Sequence, residues 1–525
     1  MAATNTPLAP AMVGQAPESA SSVDGMTRSM MAMAYFQEAK TEHDALPPGE
    51  SPARASFHLK WAARCHDFAV DHGGVYIKAA QFISSLQGGA GEAGVPREYV
   101  DALRPLTDRV PPRPFAGVAA VAEEELGAPL ADLVESIEEE AIAAASLAQV
   151  HRAYVPPRSK GAEPTAVALK LQYPTLREQI ASDFEVLGMM QGMIASQYDF
   201  TWLLSDLQKY VSSELDFRTE AKNARAAADA LNSLAPGVLV PPLVPKLCSE
   251  RTLATEFVDG LTRLDRPAAL ATLQLSQHEL GRLVSEAFAT LSLRHGLVHG
   301  DPHSGNVYAR VQPGGTRQSP AHAAAQLVVL DHGLYHRLTD ADRLRMCTLI
   351  LECARPWPSR KRVRAASTHF AGALAPLFPA LLSPAFAIAT GLSASQLRAA
   401  SLGRLPEGTT LEDVWQTLVE MHNGESDVIG LLHSMGYIRG LQNSLGYPEK
   451  ERVRALTACA ARATFEAAAA GKKLLLHESR LALALRLCAI RVWLLFALLS
   501  VAGTLLRGYD ILRRATSARV APDPP

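Results

Sequence analysis

Polar side chains of the types that phosphoryl transfer requires occur at four separate points of the sequence. Lys170 ends the strand-like run AVALK. Asp301 and Asn306 are five residues apart in GDPHSGN, and Asp331 follows the apolar run LVVL. In a kinase-like site a strand Lys pairs with phosphates, a loop Asp faces the accepting group, and an Asn and a second Asp hold magnesium. The pattern therefore predicts an ATP and Mg²⁺ site, with Asp301 as catalytic group and Asn306 and Asp331 as metal ligands.

Each of these signals has a simpler interpretation when it is taken alone. A Lys near a strand end is usually just solvated, and Asp301 or Asp331 could cap a turn through its own backbone bonds. The sequence also has HGD where the kinase pattern has H-R-D, and DHG where it has D-F-G. Because both Asp residues follow Lys170 in the kinase order, the phosphoryl-transfer interpretation is favoured.

A metal-dependent hydrolase is the competing chemical interpretation. His295, His299 and His303 recur every four residues, and His332 lies downstream. That spacing would place three imidazoles on one helical face. Glycines and Pro302 inside the segment oppose a continuous helix, and no Glu occupies the H-E-x-x-H position. The hydrolase is the less favoured alternative.

The elements that must position these residues predict an α+β protein. Short apolar runs at 142–155 and 165–171, separated by PPRSKGAEP, indicate paired strands, and helical periodicity dominates most of the remainder. We expect a two-lobed, atypical protein-kinase-like fold, in which a small β-containing lobe and a helical lobe carry helical N-terminal and C-terminal extensions. The predicted boundaries are a disordered segment at 1–45, a helical extension at 46–135, the small lobe with a helical insert at 136–260, the catalytic lobe at 261–360, a helical region at 361–480 and an apolar helix at 481–510.

Composition excludes some classes of function. The formal net charge is −2, and Lys and Arg are mixed with Asp and Glu, so no field would gather nucleic acid. We expect no nucleic-acid partner. The six cysteines form no C-x-x-C pair, which is typical of buried thiols or of a reducing compartment. Residues 1–25 have neither the basic start nor the apolar core of a secretory signal.

The apolar stretch at 481–506 allows two interpretations. Arg486 and Arg491 interrupt it and leave an uncharged run of 15 residues, from Val492 to Leu506. A membrane-spanning helix usually needs about 20 apolar residues. We therefore favour a buried or interfacial helix, with a short transmembrane anchor as the alternative.

The sequence resembles the UbiB-type, or aarF-domain-containing, atypical kinase family over roughly 60–350. The resemblance is carried, in family order, by VYIKAAQ, AIAAASLAQVHRA, VALKLQYP, ELDFRTEAKNA, TEFVDG, HGDPHSGN and LDHGLY. The LDHGLY form is similar to the less characterised eukaryotic branch. Several long motifs in the same order are far more specific than one short pattern.

The resemblance implies roles for further residues. It makes an Ala-rich phosphate-covering loop of Ala143, Ala144, Ala145 and Ser146, for which a helix start is the alternative interpretation. It implies that Glu220 pairs with Lys170, that Glu214 and Asp216 form an E-x-D element, and that Lys78 and Gln81 of a K-x-G-Q helix project over the nucleotide. A solvated acidic face and a plain surface helix are the respective alternatives.

The hinge and the catalytic loop also match the family, with differences. The resemblance places adenine against the backbone around Glu256 and Val258, in a segment that could equally be an ordinary buried strand. Ala80 replaces the family Gly of the K-x-G-Q helix. Ser304 replaces the usual Pro of D-P-H-P-G-N, which we expect to loosen the loop slightly.

The family implies an ATP- and Mg-dependent kinase or ATPase in lipid or quinone homeostasis, located in mitochondria or plastids. We expect ATP as a partner and a small molecule or lipid as substrate, because the N-terminal extension would occupy the place of a protein substrate. Contact with a membrane surface is a further expectation, and the sequence leaves the oligomeric state open. The alternative function is a pseudokinase or scaffold that binds nucleotide without phosphotransfer.

Overall fold

The computed structural model describes residues 25–47, 49, 51–85, 96–107, 110–157, 163–194, 208, 211–212, 214–315, 323–391, 393, 396, 427–469 and 481–499. The chain forms two compact units. Unit 1 comprises Met1–Arg225 and Pro241–Asp259, and unit 2 comprises Ala226–Val240 and Gly260–Pro525. The chain therefore passes from one unit to the other three times.

Unit 1 is a set of helices beside a small sheet. Its helices are α1 Gly25–Asp44, α2 Pro52–His72, α3 Gly74–Ser85, α4 Arg97–Leu103, α5 Phe115–Leu126, α6 Leu130–Leu133 and α7 Leu176–Ile194, with short 3₁₀ turns at Arg104–Thr107 and Pro245–Leu247. Local sequence fixes some of their ends. The Ser51 side chain accepts a hydrogen bond from the Arg54 N–H at the start of α2, and Gly73, at φ 67°, ends that helix.

The sheet of unit 1 is antiparallel and positions Lys170. Its strands are β1 Ser136–Ile137, β2 Ala143–Ala144, β3 Ala148–Val155, β4 Thr165–Gln172 and β6 Thr252–Glu256, in the order β1-β3-β4-β6 with β2 on β3. Val167, Leu169 and Leu171 of β4 are fully buried against α5. Because side chains alternate along a strand, Lys170 points to the opposite face of the sheet.

Helix α1 begins within the segment that composition predicts to be disordered, so the predicted boundary at residue 45 is wrong. Arg28 forms a buried ion pair with Asp183 of α7, at 2.8 Å, and also donates to the His72 carbonyl. Ala32 and Phe36 pack in the same helical cluster. These long-range contacts hold α1, and local sequence patterns do not reveal them. Residues 1–24 lie outside the described residues.

Unit 2 contains the remaining strands. A sheet in the order β5-β10-β9-β7 is formed by β5 Val238–Leu239, β7 Thr262–Arg263, β9 Val307–Val311 and β10 Ala325–Val329, and β8 Leu297–His299 pairs with β11 Tyr335–Arg337. Strand β10 is buried at every position and ends at the loop that carries Asp331. Strands β8 and β11 pair antiparallel, with His299 opposite Tyr335. Along the chain, Asp301 follows His299 closely and Asp331 precedes Tyr335 closely.

The helices of unit 2 make up most of its mass. They are α8 Phe217–Leu231, which starts in unit 1, α9 Pro267–Thr272, α10 Gln277–Ala289, α11 Asp340–Cys353, α12 Arg360–Ala371, α13 Phe378–Leu382, α14 Ala387–Thr390, α15 Val428–Ser444, α16 Glu449–Ala469 and α17 Leu481–Leu499. A π-helical turn, Thr290–Arg294, joins α10 to β8, and 3₁₀ turns occupy Asn232–Leu234, Gly372–Leu374 and Pro384–Phe386. The predicted fold class, helix with sheet in a kinase-like chain, is confirmed.

Candidate active site

Lys170 and Glu220 form an ion pair inside unit 1. Lys170 Nζ lies 2.8 Å from Glu220 Oε2, and 20% and 7% of their side chains are exposed. The ammonium also lies 5.0 Å from the centre of the Phe217 ring, on the turn of α8 that carries Glu220. The ion pair fixes the direction of a Lys side chain that would otherwise sample many rotamers.

The Ala-rich run forms a hairpin turn and does not start a helix. Ala143 and Ala144 pair with β3, and the Ala145 N–H donates to the Ala148 carbonyl at 2.8 Å. Ala143 and Ala145 are exposed at this turn, whereas Ser146 is buried. A hairpin at the edge of a sheet has the shape required of a loop that covers phosphates.

Lys78 and Glu214 meet, although they are far apart in sequence. Lys78 Nζ lies 2.5 Å from Glu214 Oε1, and Gln81 donates to the Leu106 carbonyl at 2.9 Å. Asp216 is paired differently, because both of its carboxylate oxygens accept from Arg218. Those hydrogen bonds lower the pKa of Asp216. The pairing of Lys78 thus links α3 to the segment before α8.

The predicted hinge lies at the end of β6. The Glu256 N–H donates to the Pro242 carbonyl at 2.8 Å. Each residue has one backbone donor and one backbone acceptor, so only the carbonyl of Glu256 could serve an adenine edge. Val258 is buried. A buried strand end and a hinge are compatible descriptions of this segment.

The HGD and DHG motifs are joined inside unit 2 by one imidazole. The Asp301 N–H donates to His299 Nδ1 at 3.2 Å, and His299 Nε2 lies 2.8 Å from the Asp331 carbonyl. Nδ1 therefore accepts and Nε2 carries the proton, which is the neutral form. Burial lowers the pKa of His299 and favours that form. A protonated His299 ring could no longer accept the hydrogen bond from the Asp301 N–H.

The two predicted magnesium ligands are tied to the same loop. The Asn306 side-chain amide donates to the Asp301 carbonyl at 3.0 Å, and Asp331 Oδ1 accepts from the Gly333 N–H at 2.8 Å. The Leu330 N–H also donates to the Asn306 carbonyl. These bonds bring Asp301, Asn306 and Asp331 into one connected network.

Ser304 makes two side-chain hydrogen bonds that oppose the expected loosening of the loop, and that expectation stays a prediction. Its hydroxyl donates to Asp265 Oδ2 at 2.7 Å and lies 2.8 Å from an Arg263 nitrogen. Arg263 in turn makes two hydrogen bonds to Asp265, which lower the pKa of that carboxyl. The network connects the catalytic loop to β7. Neither Arg263 nor Asp265 belongs to a motif that would have marked it in the sequence.

A second connection runs from the catalytic loop to α15. His336 Nδ1 lies 2.6 Å from Asp427 Oδ2, and the other oxygen of Asp427 caps α15 by accepting from the Gly430 N–H. A Cβ on Gly300 would approach His336 Nε2 to 2.8 Å. The His336 ring therefore occupies the space that a side chain in the middle of the HGD motif would need. Sequence reasoning did not identify this histidine.

The histidine cluster does not form a metal site. His299 and His332 both use their two ring nitrogens for hydrogen bonds, His332 with Tyr335 and with the Val329 carbonyl. Nδ1 of His303 accepts from the Gly305 N–H. Among the described residues, no three His, Cys, Asp or Glu side chains are arranged to hold one metal ion. The metal-dependent hydrolase interpretation is therefore not supported.

Comparisons with known proteins define the family. Residues 105–362 match the ABC1 atypical kinase-like domain. The chain is 30% identical over 406 residues to AarF domain-containing protein kinase 1 of Xenopus laevis, and the match covers 75% of this chain and 72% of that protein. The chain belongs to the ABC1/AarF-domain family of atypical kinase-like proteins. This confirms the resemblance seen in the sequence.

Other members of the ABC1/AarF-domain family extend the comparison. AarF domain-containing protein kinase 1 of Mus musculus is 32% identical over 56% of this chain and 53% of its own length. AarF domain-containing kinase 1 of Drosophila melanogaster is 26% identical over 79% and 77%. A structure of Rv3197 with erythromycin from Mycobacterium tuberculosis aligns at 20% identity, over 78% of this chain and all of that one, with a TM-score of 0.41, too slight a likeness for functional argument.

The residues present fit the ATP and Mg²⁺ that a kinase-like family uses. Mg²⁺ prefers one or two carboxylates together with phosphate and water oxygens. Asp331 supplies a carboxylate, and Asn306 keeps an amide oxygen as acceptor because its NH₂ group donates to the loop backbone. Lys170, oriented by Glu220, is a cation suited to phosphate oxygens. The roles of the individual residues stay predictions.

Proposed function

We propose that the chain is an ATP- and Mg-dependent atypical kinase or ATPase that acts at a membrane surface on a small molecule or lipid, in mitochondria or plastids. One observation carries the catalytic part: His299 bonds to the backbone of both Asp301 and Asp331, and the Asn306 amide bonds to the Asp301 carbonyl, so that the loops carrying the three oxygen-donor side chains share one hydrogen-bond network. Phosphoryl transfer depends mainly on positioning and electrostatics, and oxygen-bearing side chains on connected loops can supply both.

Each residue has a defined part in this proposal. Asp301 orients the accepting hydroxyl or water and receives its proton. Lys170 holds phosphate oxygens while Glu220 keeps the ammonium in place. Asn306 and Asp331 would hold the metal, which neutralises the charge of the phosphates when it is bound.

Phosphate release by the full chain tests the catalytic proposal. We expect Mg²⁺ and ATP to raise the melting temperature of the wild type, because a ligand that binds only the folded state stabilises it. Asp301→Asn should lower phosphate release by at least about 100-fold and keep the ATP-induced stabilisation. Asp331→Asn should lower both the phosphate release and the ATP-induced stabilisation.

Asp340→Asn is the matched control, because this Asp lies in the same unit and its side chain is 89% exposed. It should behave as the wild type. Stabilisation by ATP without turnover of the wild type, even with lipid vesicles, would favour the scaffold function. An Asp301→Asn protein as active as the control would contradict the proposed role of Asp301.

Helix α17 supports the membrane part of the proposal. Among the described residues it is the one helix long and apolar enough to cross a membrane, with 19 residues, a mean hydropathy of 2.1 and 17% of its residues buried. Val492 belongs to the core cluster of the C-terminal helices and Leu495 is buried, which favours a helix that lies on a surface over one that spans. Leu487, Ile490 and Trp493 remain 45–57% exposed.

The chemistry of the exposed face fits an anionic lipid bilayer. The only charged residues of α17 are Arg486 and Arg491. Apolar side chains, a Trp and basic residues on one surface helix are the combination found in helices that lie in the membrane interface. We therefore place α17 parallel to the membrane, with its apolar face among the lipid tails.

Vesicle flotation with two Trp variants tests this surface. Trp493→Ala should lower binding to vesicles that contain an anionic phospholipid by about tenfold, since it removes one large apolar anchor. Trp357→Ala is the matched control, because Trp357 is 79% exposed but lies outside α17. Equal vesicle binding by both variants would contradict the proposal that α17 is the membrane-binding surface. If a fluorescent fusion of the full chain were found only in the cytosol, the proposed location in mitochondria or plastids would be contradicted.

A further inference from the structure

A cavity of about 80 Å³ lies among the helices of unit 2. Its inner wall is aliphatic and aromatic, with Phe288, Met346, Leu431 and Met435 among the lining residues. One water needs about 10–15 Å³ on the same measure, and an apolar cavity of about 150 Å³ has been found to hold benzene. The cavity is therefore large enough for a few carbon atoms of a chain. Methionines can adapt to ligands of different shape.

Charged groups also line this cavity. Glu449 is neutralised there by an ion pair with Arg452 and by a hydrogen bond from Ser383. Arg439 also lines the cavity, and its guanidinium donates to the carbonyls of Leu381 and Leu382. Two arginines and one glutamate leave an excess positive charge beside the apolar wall.

One of these arginines has an unused donor. Arg452 donates through its terminal nitrogens to Asn443 and pairs with Glu449. Its Nε is buried and has no hydrogen-bond partner among the residues that the structure describes. A buried donor without an acceptor is costly, which leaves the charge of Arg452 less fully compensated than its ion pair alone suggests.

We propose that this cavity binds an amphiphile, with an alkyl chain against Phe288 and Met435 and an anionic head beside Arg439 and Arg452. None of the residues predicted to handle nucleotide lines it. The bound molecule is thus a second ligand, not the phosphoryl acceptor, and its binding does not depend on the proposed kinase activity. Its head is a carboxylate or a phosphate monoester.

The position of the cavity would let such a ligand affect the catalytic loop through the segment that precedes it. Phe288 lies on α10, and Ser292 and Leu293 lie on the π-helical turn, both directly ahead of β8 and His299. Single π-helical turns occur frequently at functional sites. A ligand against this turn would stiffen the segment from which the HGD motif emerges.

Direct binding of short-chain probes to the full-length protein, by isothermal titration and native mass spectrometry, tests the site. Octanoate and octyl phosphate should bind, and the tighter of the two identifies the head group as that of a fatty acid or of a phosphorylated lipid. Octanol should bind about tenfold more weakly, since it lacks the charge. Inorganic phosphate, which lacks the chain, should not bind. Failure of both anionic probes, or equal binding of octanol, would overturn the proposal.

Variants locate the binding to this cavity. Met435→Trp fills the space and should lower octanoate affinity at least tenfold. Gly436→Ala, on the same helix and with no atom within 4 Å of the added Cβ, should leave the affinity unchanged. Arg452→Met should remove the preference for octanoate over octanol, and Arg452→Lys should restore part of it. Undiminished octanoate binding by a folded Met435→Trp protein would overturn the assignment.

Discussion

Ser304 makes two side-chain hydrogen bonds that bear on the position of the predicted catalytic loop. Its bonds to Asp265 and Arg263 connect the loop to β7, whereas a Pro at this position could make neither bond. Ser304→Ala should therefore increase the motion of the loop and lower phosphate release about tenfold, since hydrogen bonds to charged groups contribute roughly 1.5–3 kcal/mol and these are partly exposed. Single-turnover kinetics measure the effect.

The control for this change is Ser444→Ala, because the Ser444 hydroxyl bonds only to backbone carbonyls of its own helix. It should leave turnover unchanged. Equal activity of the Ser304→Ala protein and the wild type would mean that the Arg263 and Asp265 network does not position the loop.

His72 predicts how the stability of unit 1 depends on pH. Burial, and then the nearby Arg28, lower its pKa from 6.5 to about 4. As pH falls from about 6.5 to 4, the unfolded chain takes up a proton that the folded chain does not, so the free energy of unfolding decreases. The contribution is fully present above pH 6.5 and is lost in acid.

His72→Gln isolates this contribution in urea unfolding at pH 7.5 and 5. The variant should lose less stability between the two values than the wild type. Asp183, whose pKa burial raises to about 6, acts in the opposite direction and is present in both proteins. Equal losses would show that His72 is not the group that titrates.

At the scale of elements, strands and motifs could be predicted better than helix ends and loop connections. The alternation in VALKLQ fixed β4 and the face of Lys170, because a strand repeats every two residues. The hairpin turn at Ala145 could not be distinguished from a helix start, since Ala suits both. It is settled by the Ala145–Ala148 hydrogen bond and by Leu147, which packs in a neighbouring cluster.

Helix α1 depends on one buried ion pair. Arg28→Leu would leave the buried Asp183 carboxylate without its partner, and breaking a buried pair costs roughly 3–5 kcal/mol. We expect α1 to lose protection in hydrogen exchange and unit 1 to melt at a lower temperature. Arg97→Leu is the control, because its side chain is 91% exposed. Protection of α1 equal to that of the control would contradict this role.

Helix α15 fits against His336 of β11 through a glycine. A Cβ on Gly430 would lie 2.6 Å from the His336 ring, whereas one on Gly436 would meet no atom within 4 Å. Gly430→Ala should thus destabilise the protein by about 1–3 kcal/mol, and Gly436→Ala should stabilise it by up to about 1 kcal/mol. Thermal unfolding compares the two, and similar melting temperatures would argue against close packing at His336.

At the scale of the whole molecule, sequence motifs predicted the family and the fold class, because several long motifs occur in family order. They could not predict the polar side chains outside the motifs that lie around the motif residues. Arg263, Asp265, His336 and Asp427 belong to no motif. Arg263 and Asp265 bond to Ser304 of the catalytic loop, whereas Asp427 pairs with His336, whose ring lies beside Gly300. Such contacts depend on the fold and leave no pattern in one sequence.

The near-neutral whole chain predicts how membrane binding responds to salt. A net charge of −2 opposes an anionic surface only weakly, so Arg486 and Arg491 can act locally. Raising NaCl from about 0.1 to 0.5 M should weaken vesicle binding severalfold without abolishing it, because salt screens charges and leaves apolar burial intact. Flotation at both concentrations measures this. Complete release at high salt would mean that the apolar face of α17 does not insert.

The three crossings of the chain between the units affect how the protein is made. Strand β5 leaves the ribosome well before β10, its parallel partner, and the stretch Pro241–Asp259 that completes unit 1 emerges between them. Neither unit corresponds to one uninterrupted stretch of nascent polypeptide. The sheet of unit 1 therefore stays incomplete until β6 has been made, and β5 of unit 2 waits for β10, so a product truncated between them would expose unpaired strand edges to chaperones.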